Sequence, residues 1–227
     1  MKRKRASNVS LGDVAYQAIR EAITSNTMKP GDRLSEYMVA DWLKISRTPA
    51  REGLRRLESE GLLTSHPRRG LVVANLDESA VHELYAAREV LESTVAAMAA
   101  RFATDAEISR LQHMVEIEAA MADRPELMFE HNLAFHKLVS QAARNRYLVK
   151  FLQSLADTIS AHRSVSTLTS VDRRAEVLQE HRDLVDAISR HDEEAARAAA
   201  LRHIQGALRA RLSVQRQPVP EPDQAEA

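Results

Sequence analysis

The sequence predicts a mostly α-helical protein, with an N-terminal winged helix-turn-helix followed by a C-terminal all-α antiparallel helical bundle. Three observations support this fold class. The first 76 residues contain three amphipathic helical segments and then two short apolar runs around a basic turn. From residue 77 onward the apolar residues recur with helical periodicity, and the net charge is positive in the first third of the chain but negative in the remainder.

A chain of 227 residues is long enough for two domains that each bury a core. We predict a winged helix-turn-helix over residues 1–76 and a helical domain over residues 77–216. Residues 217–227 read QPVPEPDQAEA, a Pro-rich and acidic composition that is typical of disordered tails.

Apolar residues at helical spacing predict a first helix over Asp13–Ser25, which ends before the turn signal at Pro30 and Gly31. Ser35 begins a second helix that extends to about Leu43. Its four large apolar residues are all expected to face inward, and these are Met38, Val39, Trp42 and Leu43.

A third helix is predicted to begin at Ser46, a favourable N-cap residue, with Pro49 in its first turn. Two strands over 62–65 and 70–74 flank a hairpin loop at 66–69. Three helices and a hairpin in this order are the arrangement of a winged helix.

From residue 77 onward, helical segments alternate with short polar joints, and no strand pattern is recognised in the sequence. Six helices are predicted, which favours an antiparallel bundle. Their expected bounds are 77–102, 105–120, 126–143, 147–162, 172–190 and 192–214.

The net charge of zero conceals an asymmetry between the two predicted domains. Residues 1–76 carry 14 Lys+Arg against 8 Asp+Glu, and the remainder carries 18 against 24. Because Lys and Arg release counterions when they neutralise phosphates, the basic domain is a candidate to bind double-stranded DNA. The chain has no Cys, which excludes thiolate metal sites, and no apolar run approaches the ~20 residues of a membrane span. We therefore expect a soluble, cytoplasmic protein without a membrane partner.

The third helix carries the side chains that are expected to read DNA. In helix-turn-helix proteins, Arg, Lys, Ser and Thr near the start of this helix reach base edges and phosphates in the major groove. Arg47 and Arg51 are one turn apart, opposite Leu54 and Leu57. A solvated Arg-rich surface is the alternative, but the helix order, the wing and the charge asymmetry together favour a DNA-binding face.

These residues resemble the DNA-binding domain of the GntR family of bacterial transcription factors over about residues 12–74. The family pattern is seen in the motifs PGDRLSE at 30–36, ISRTPAREGLRRL at 45–57, EGL at 60–62 and PRRG at 67–70. The resemblance implies that the start of the third helix contacts bases and that the wing reaches toward the minor groove. The candidate DNA-binding residues are Arg33, Ser46, Arg47, Thr48, Arg51, Arg68, Arg69 and Gly70.

Three positions depart from the family pattern. Tyr37 stands where an Arg that contacts DNA is common, Lys44 replaces the usual turn Gly, and Gly53 replaces a usual Ala within the third helix. A Gly inside a helix costs up to ~1 kcal/mol relative to Ala, so Gly53 weakens the intrinsic preference for helix there.

The first helix of the C-terminal domain has an Arg within its apolar stripe. Arg88 shares this stripe with Tyr85, Leu91 and Val95. Because a buried unpaired guanidinium is costly, Arg88 either pairs with an internal carboxylate or awaits an anionic ligand. Periodicity alone leaves both possibilities open.

Polar side chains on three later helices could converge in the bundle core. Asn132 and His136 are four residues apart on one helix, while His181 and His203 lie within apolar stripes of two others. Three imidazoles and an amide oxygen could surround a metal ion. The alternative is that each His is a hydrogen-bonded core residue, and spacing alone does not decide between the two.

Residues 78–212 resemble the FadR-type ligand-binding domain of the GntR family, known as FCD. The shared motifs are REVLE at 88–92, NLAFHKL at 132–138, EHR at 180–182 and LRHI at 201–204. Many members bind a divalent metal through an acidic residue and three His at these positions, which implies a site formed by Asn132, His136, His181 and His203. Asn132 stands where Asp is commonest. We expect zinc, nickel or manganese in a structural or ligand-binding role rather than a catalytic one.

Together these features predict a homodimeric, effector-controlled regulator that binds operator DNA, a repressor rather than an enzyme. The expected effector is a small organic carboxylate held by Arg88 and Tyr85 beside the metal, because neutral His and Asn ligands leave the charge of the ion uncompensated. A metal-dependent hydrolase is the rival hypothesis, but no general base is evident near the predicted ligands and an enzyme has no use for a basic winged helix. A helical scaffold without a ligand is a third hypothesis, and it requires three coincidental His.

Overall fold

The computed structural model of the chain describes residues 10–121, 124–161, 168 and 170–215. Over these residues, three helices and three short strands precede six long helices. The elements are α1 Leu11–Thr24, β1 Arg33–Leu34, α2 Glu36–Leu43, α3 Arg47–Ser59, β2 Leu63–His66, β3 Gly70–Val73, α4 Glu78–Phe102, α5 Asp105–Ala120, α6 Pro125–Ala142, α7 Arg146–Ala161, α8 Val171–Ser189 and α9 Glu193–Gln215. This order confirms the predicted fold class of a winged helix-turn-helix followed by a helical domain. The predicted tail at 217–227 lies outside the described residues.

The core of the N-terminal part forms where α1, α2 and α3 pack together. Ile19 and Ile23 on α1 are fully buried, as is Leu57 on α3. A Cβ added at Gly53 would lie 2.8 Å from the backbone nitrogen of Tyr16, so the glycine lets α3 approach the α1 backbone closely. This close approach is the packing reason for a residue of low helix propensity in α3.

The short helix α2 differs from the sequence prediction in the side that it buries. Val39 is buried and Leu43 is half-buried, but Met38 and Trp42 are 52% and 46% exposed. An eight-residue helix buries only one narrow side against α3. Met38 and Trp42 are four residues apart, so they lie next to each other on a different side of the helix. The prediction that all four apolar residues face inward was therefore wrong.

The three strands form one antiparallel sheet in the order β1-β3-β2. The hairpin of β2 and β3 pairs Leu63 with Val73 and His66 with Gly70. On the other edge of β3, Arg33 pairs with Val72. The hairpin was predicted, but β1 was missed, because two residues are too few to show an alternating pattern.

The helical part is built around α4 and α9, which pack against each other, and α5, α6 and α8 complete its core. Small side chains supply much of this core, including Ala96, Ala99 and Ala100 on α4 and Ala196, Ala199 and Ala200 on α9. Phe135 of α6 is the largest of its fully buried side chains. None of the described helices combines the length and apolar character that spanning a membrane requires.

The described residues form two compact units. The first contains the chain up to Leu76 together with the part of α7 that begins at Ser154, and the second contains Asp77–Gln153 and the residues after 165. Within the first unit, Arg20 of α1 donates two hydrogen bonds to the buried carboxylate of Asp157, at 2.7 and 2.5 Å. The predicted boundary at residue 76 remains a prediction, and it did not assign any of α7 to the first unit.

The conformation of Lys44 generates a prediction about stability. Lys44 ends α2 with φ of 53° and ψ of 43°, in the left-handed region where a Cβ costs an L-residue roughly 1–2 kcal/mol. Its ion pair with Asp41 is 77% and 70% exposed, so it contributes little. After allowance for the entropy of glycine, Lys44→Gly should raise the free energy of unfolding by about 0.5–1 kcal/mol in urea denaturation.

Lys44→Ala is the matched control, because it removes the same charge but keeps the Cβ. This variant should lie within about 0.5 kcal/mol of the wild type. Equal stabilisation by both substitutions would show that the ammonium group, rather than backbone strain, is what limits stability at this position.

Candidate nucleic-acid interface and metal centre

The residues predicted to bind DNA lie on β1, at the start of α3 and at the turn between β2 and β3. All of them are exposed, and they are Arg33, Ser46, Arg47, Thr48, Arg51, Arg68, Arg69 and Gly70. The Arg47 side chain is 72% exposed and lies 3.2 Å from a carboxylate oxygen of Glu36. Because a surface ion pair of this kind is worth at most about 1 kcal/mol, Arg47 can exchange Glu36 for a phosphate or a base at little cost.

One arginine of α3 differs from its neighbours in its contacts. Arg56 lies over the ring of Tyr16, 3.7 Å from its centroid, and pairs with Asp13 at 3.1 Å. The Tyr16 hydroxyl donates to Glu60 at 2.8 Å, and burial together with this hydrogen bond raises the pKa of Tyr16 to about 12. Arg51, Arg55 and Arg56 are all exposed, but Arg56 contacts α1 through Tyr16 and Asp13 and so helps to hold α3 against α1.

The first turn of α3 is open to an anion. Ser46 has the extended backbone of an N-cap residue, as predicted, but its side chain makes no capping hydrogen bond. The first backbone N–H groups of a helix need an acceptor from outside the helix, and phosphate oxygens satisfy them well. The hydroxyl of Ser46 does not accept a hydrogen bond from any of these N–H groups.

The turn between β2 and β3 presents two guanidinium groups. Gly70 has φ of 73°, a conformation that glycine adopts without strain, and it returns the chain into β3. The backbone N–H of Arg69 donates to the carbonyl of His66 at 3.2 Å, and that of Arg68 to the His66 ring at 3.3 Å. These bonds close the turn and leave both Arg side chains exposed at its tip.

Inside the second unit, the structure brings together the three histidines that the sequence singled out. His136 lies on α6, His181 on α8 and His203 on α9. One ring nitrogen from each lies within 4.8 Å of those of the other two, and the ring centroids are 4.9 to 5.4 Å apart. His181 and His203 are buried, and Phe135 stacks on the His181 ring at 4.2 Å.

Each of these imidazoles has a carboxylate beside its Nδ1 atom. The pairs are Glu118 with His181 at 2.7 Å, Glu180 with His203 at 2.8 Å and Glu92 with His136 at 3.5 Å. A carboxylate at Nδ1 holds the proton there and leaves the lone pair of Nε2 for a metal ion.

The donor set fits a divalent metal ion. The Nε2 atoms of His136 and His181 are buried and have no hydrogen-bond partner among the described residues. Such orphaned nitrogens are costly, and coordination to a cation would remove the cost. Burial lowers the pKa of His136 to about 4 and that of His203 well below its usual value, so both rings are neutral, as ligands must be. Asn132 is half-buried one turn before His136 and stays a predicted fourth ligand.

Arg88 has an internal partner, which was one of the two possibilities that the sequence left open, and its role in binding an anionic ligand stays a prediction. Its Nε donates to Glu92 at 2.6 Å, and its guanidinium lies 4.7 Å from the centroid of the Tyr85 ring. Burial acts to raise the pKa of Glu92, but Arg88 and His136 outweigh it, so the pKa of this carboxyl is lowered. Both members of the pair are therefore charged.

The expectation that neutral His and Asn ligands leave the charge of the ion uncompensated took no account of carboxylates close to the histidines. Glu92, Glu118 and Glu180 all contact the cluster. Two of them had a signal in the sequence, because Glu92 follows Arg88 by one helical turn and Glu180 precedes His181. No pattern in the sequence indicated Glu118, because it lies on α5 and its partner His181 is 63 residues away along the chain.

A cavity of about 20 Å³ lies beside His136 and His203, with room for about one water molecule. Glu92 and Ser140 supply its other polar groups. The rest of its wall is apolar and consists of Val95, Ala96, Val139, Leu152, Leu184 and Ala200.

Similarity to known proteins covers both units. Residues 11–73 match the family model of bacterial regulatory proteins of the gntR family, and residues 83–206 match the FCD domain. The HTH-type transcriptional regulator YdhC of Bacillus subtilis is 31% identical over 83% of this chain and 85% of its own length. The HTH-type transcriptional repressor RspR of Escherichia coli is 28% identical over 84% of each chain.

Among solved structures, that of E. coli McbR/YncC superposes with a TM-score of 0.74 at 20% sequence identity, covering 90% of this chain and 98% of that one. This likeness shows the fold. The motifs around α3, the FCD match and the related regulators agree with it, and the chain therefore belongs to the GntR family of bacterial transcriptional regulators, in which its FCD domain follows a DNA-binding winged helix-turn-helix.

Proposed function

We propose that this regulator is a cytoplasmic homodimer that represses transcription by binding a short, imperfect palindrome. The observation that carries the proposal is the exposed face of α3, where Arg47, Thr48 and Arg51 project away from the buried core, with Arg68 and Arg69 on the wing. Two copies related by a twofold axis would read two half-sites. The relative named a transcriptional repressor supports the direction of control.

Removal of one base-reading arginine should weaken operator binding. Arg47→Ala and Arg51→Ala are each expected to cost about 1–3 kcal/mol, or roughly 5- to 150-fold in Kd. The measurement is fluorescence anisotropy at fixed salt with a duplex that the wild-type protein selects from a random library. Arg110→Ala, an exposed arginine on α5, is the matched control and should bind like the wild type. Wild-type affinity in both α3 variants would refute the assignment of the recognition helix.

We propose further that a divalent ion such as zinc, nickel or manganese binds between His136, His181 and His203, with Asn132 as the fourth protein ligand. The ion would join α6, α8 and α9 and offer an open position to an anionic ligand. Support comes from the two orphaned Nε2 atoms and from the carboxylates that hydrogen-bond the Nδ1 atoms of His181 and His203. Since these carboxylates are engaged with imidazoles, we assign the site to ligand binding rather than to catalysis.

Metal analysis of the purified protein tests this site. We expect about one ion per chain in the wild type and a large loss in His136→Ala/His203→Ala, measured by elemental analysis. Chelation should lower Tm, because an ion present at 100 times its Kd adds about 2.7 kcal/mol to stability. His113→Ala, which removes an exposed His on α5, should keep the metal. A low metal content that is the same in all three proteins would exclude the site.

The effector that we propose is a small organic carboxylate, bound between the metal and Arg88, with Tyr85 at the same end of the site. Arg88 is paired with Glu92, so an incoming carboxylate would share the guanidinium with Glu92 or displace it. The cavity admits only about one water molecule, so even a short carboxylate would require its wall, for example the half-buried Leu152, to move. The ligand controls DNA binding if it favours one conformation of the protein over another.

A thermal-shift screen of mono- and dicarboxylates tests the effector site. A hit at 100 times its Kd should raise Tm by roughly 5–10 °C in the metal-loaded wild type. The shift should shrink in Arg88→Lys, which keeps the charge beside Glu92 but cannot grip a carboxylate in bidentate fashion, and should vanish after chelation. A hit whose stabilisation survives both treatments unchanged binds elsewhere, and the proposed role of Arg88 would then be abandoned.

A further inference from the structure

We infer that Arg173 is a positioning residue for the metal centre, which it supports by orienting Glu180 and, through Glu180, His203. The inference rests on the proposed metal function and adds to it a residue that neither contacts the histidines nor belongs to the predicted ligand set. Arg173 and Glu180 are two turns apart on α8, and His203 lies on the neighbouring helix α9.

The contacts form a continuous chain of hydrogen bonds. The two Nη atoms of Arg173 donate to the two carboxylate oxygens of Glu180, each at 2.8 Å, which is the bidentate arrangement that fixes a carboxylate in both position and plane. The Oε2 atom of Glu180 accepts in turn from Nδ1 of His203 at 2.8 Å. The orientation of the His203 ring is therefore set by a carboxylate that is itself clamped.

The space for this clamp is provided by a glycine on α9. A Cβ added at Gly206 would lie 2.8 Å from Oε1 of Glu180 and 2.9 Å from Nη1 of Arg173. Gly206 is three residues after His203, so the gap in the surface of α9 lies one turn from the ring that the clamp orients. A side chain at this position would therefore force the ends of the Glu180 and Arg173 side chains to shift.

The energetics favour positioning over stability as the role of Arg173. Its side chain is only 6% exposed, and its Nε is buried without a hydrogen-bond partner among the described residues. Buried ion pairs rarely stabilise a fold more than apolar side chains of the same volume, because desolvation offsets their attraction. The carboxylates that Arg173 contacts, Glu176 and Glu180, both lie on α8, so the arginine does not itself join α8 to α9, whereas its two hydrogen bonds to Glu180 hold that carboxylate in place.

A second Arg–Glu–His series supports this interpretation. Arg88 donates to Glu92 at 2.6 Å, and Glu92 lies 3.5 Å from Nδ1 of His136. Two of the three imidazoles thus have a carboxylate that is itself held by a buried arginine. Partners beyond the ligands orient the ring and raise its basicity, and their loss typically costs 10- to 100-fold in metal affinity.

The test uses the full-length protein and zinc as the probe ion, with affinity measured by competition with a chromophoric chelator. Arg173→Met, which keeps the length of the side chain but loses the clamp, should weaken zinc binding 10- to 100-fold. Arg173→Lys should fall between this variant and the wild type. Gly206→Ala should weaken binding because it displaces the ion pair, although it removes no charged group. Arg197→Met, a partly exposed arginine on α9, is the matched control and should bind zinc like the wild type.

The tautomer of His203 in metal-free protein, measured by ¹⁵N NMR, is a readout that a purely structural role would not change. We expect the proton on Nδ1 in the wild type and a mixture of tautomers in Arg173→Met. If Arg173→Met does not fold, the same mixture is expected in Arg173→Lys and Gly206→Ala. Zinc affinities within twofold of the wild type in the folded variants, or an unchanged tautomer, would overturn the inference. If the wild type itself does not bind zinc, the proposed metal function fails, and the tautomer still decides whether Arg173 positions His203.

Discussion

The contacts between three imidazoles, two of them buried, and three carboxylates are the constraint on which the helical unit depends. Glu92 comes from α4, Glu118 from α5, and the remaining partners from α6, α8 and α9. A shift of one residue along a helix turns its side chains by about 100°, so every helix in the set must keep its register for the polar groups to meet. Because an unsatisfied buried polar group costs about 1–3 kcal/mol, this requirement selects one packing arrangement among the many that an Ala-rich core would tolerate.

The apolar core and the polar cluster are built as one structure. Phe135 is fully buried and stacks on the His181 ring, and the next residue along the chain is His136. The same turn of α6 therefore contributes a large side chain to the core and an imidazole to the cluster. A change in the position of the three imidazoles would consequently alter the packing of α4, α8 and α9.

Much of this architecture could be predicted because it depends on periodicity and on strong local signals. The six long helices have bounds within about two residues of those expected, since capping residues and polar joints mark their ends. The histidines were found because polar residues stand out within apolar stripes. What could not be predicted are partnerships between distant positions: the two-residue strand β1, the exposed side of α2 and the carboxylate of Glu118. Each depends on which neighbour tertiary packing supplies.

The arrangement of α3 has a consequence for how new binding specificities can evolve. Its inward positions, Ala50, Gly53, Leu54 and Leu57, are constrained by the close approach of α1, and Arg56 is committed to Tyr16. The outward positions at 47, 48, 51 and 55 are exposed and are not constrained by packing against α1. Substitutions at exposed positions usually change stability by no more than about 0.5 kcal/mol. Duplicated copies of this gene could therefore diverge toward different promoters through these outward positions alone, while the scaffold that presents them stays unchanged.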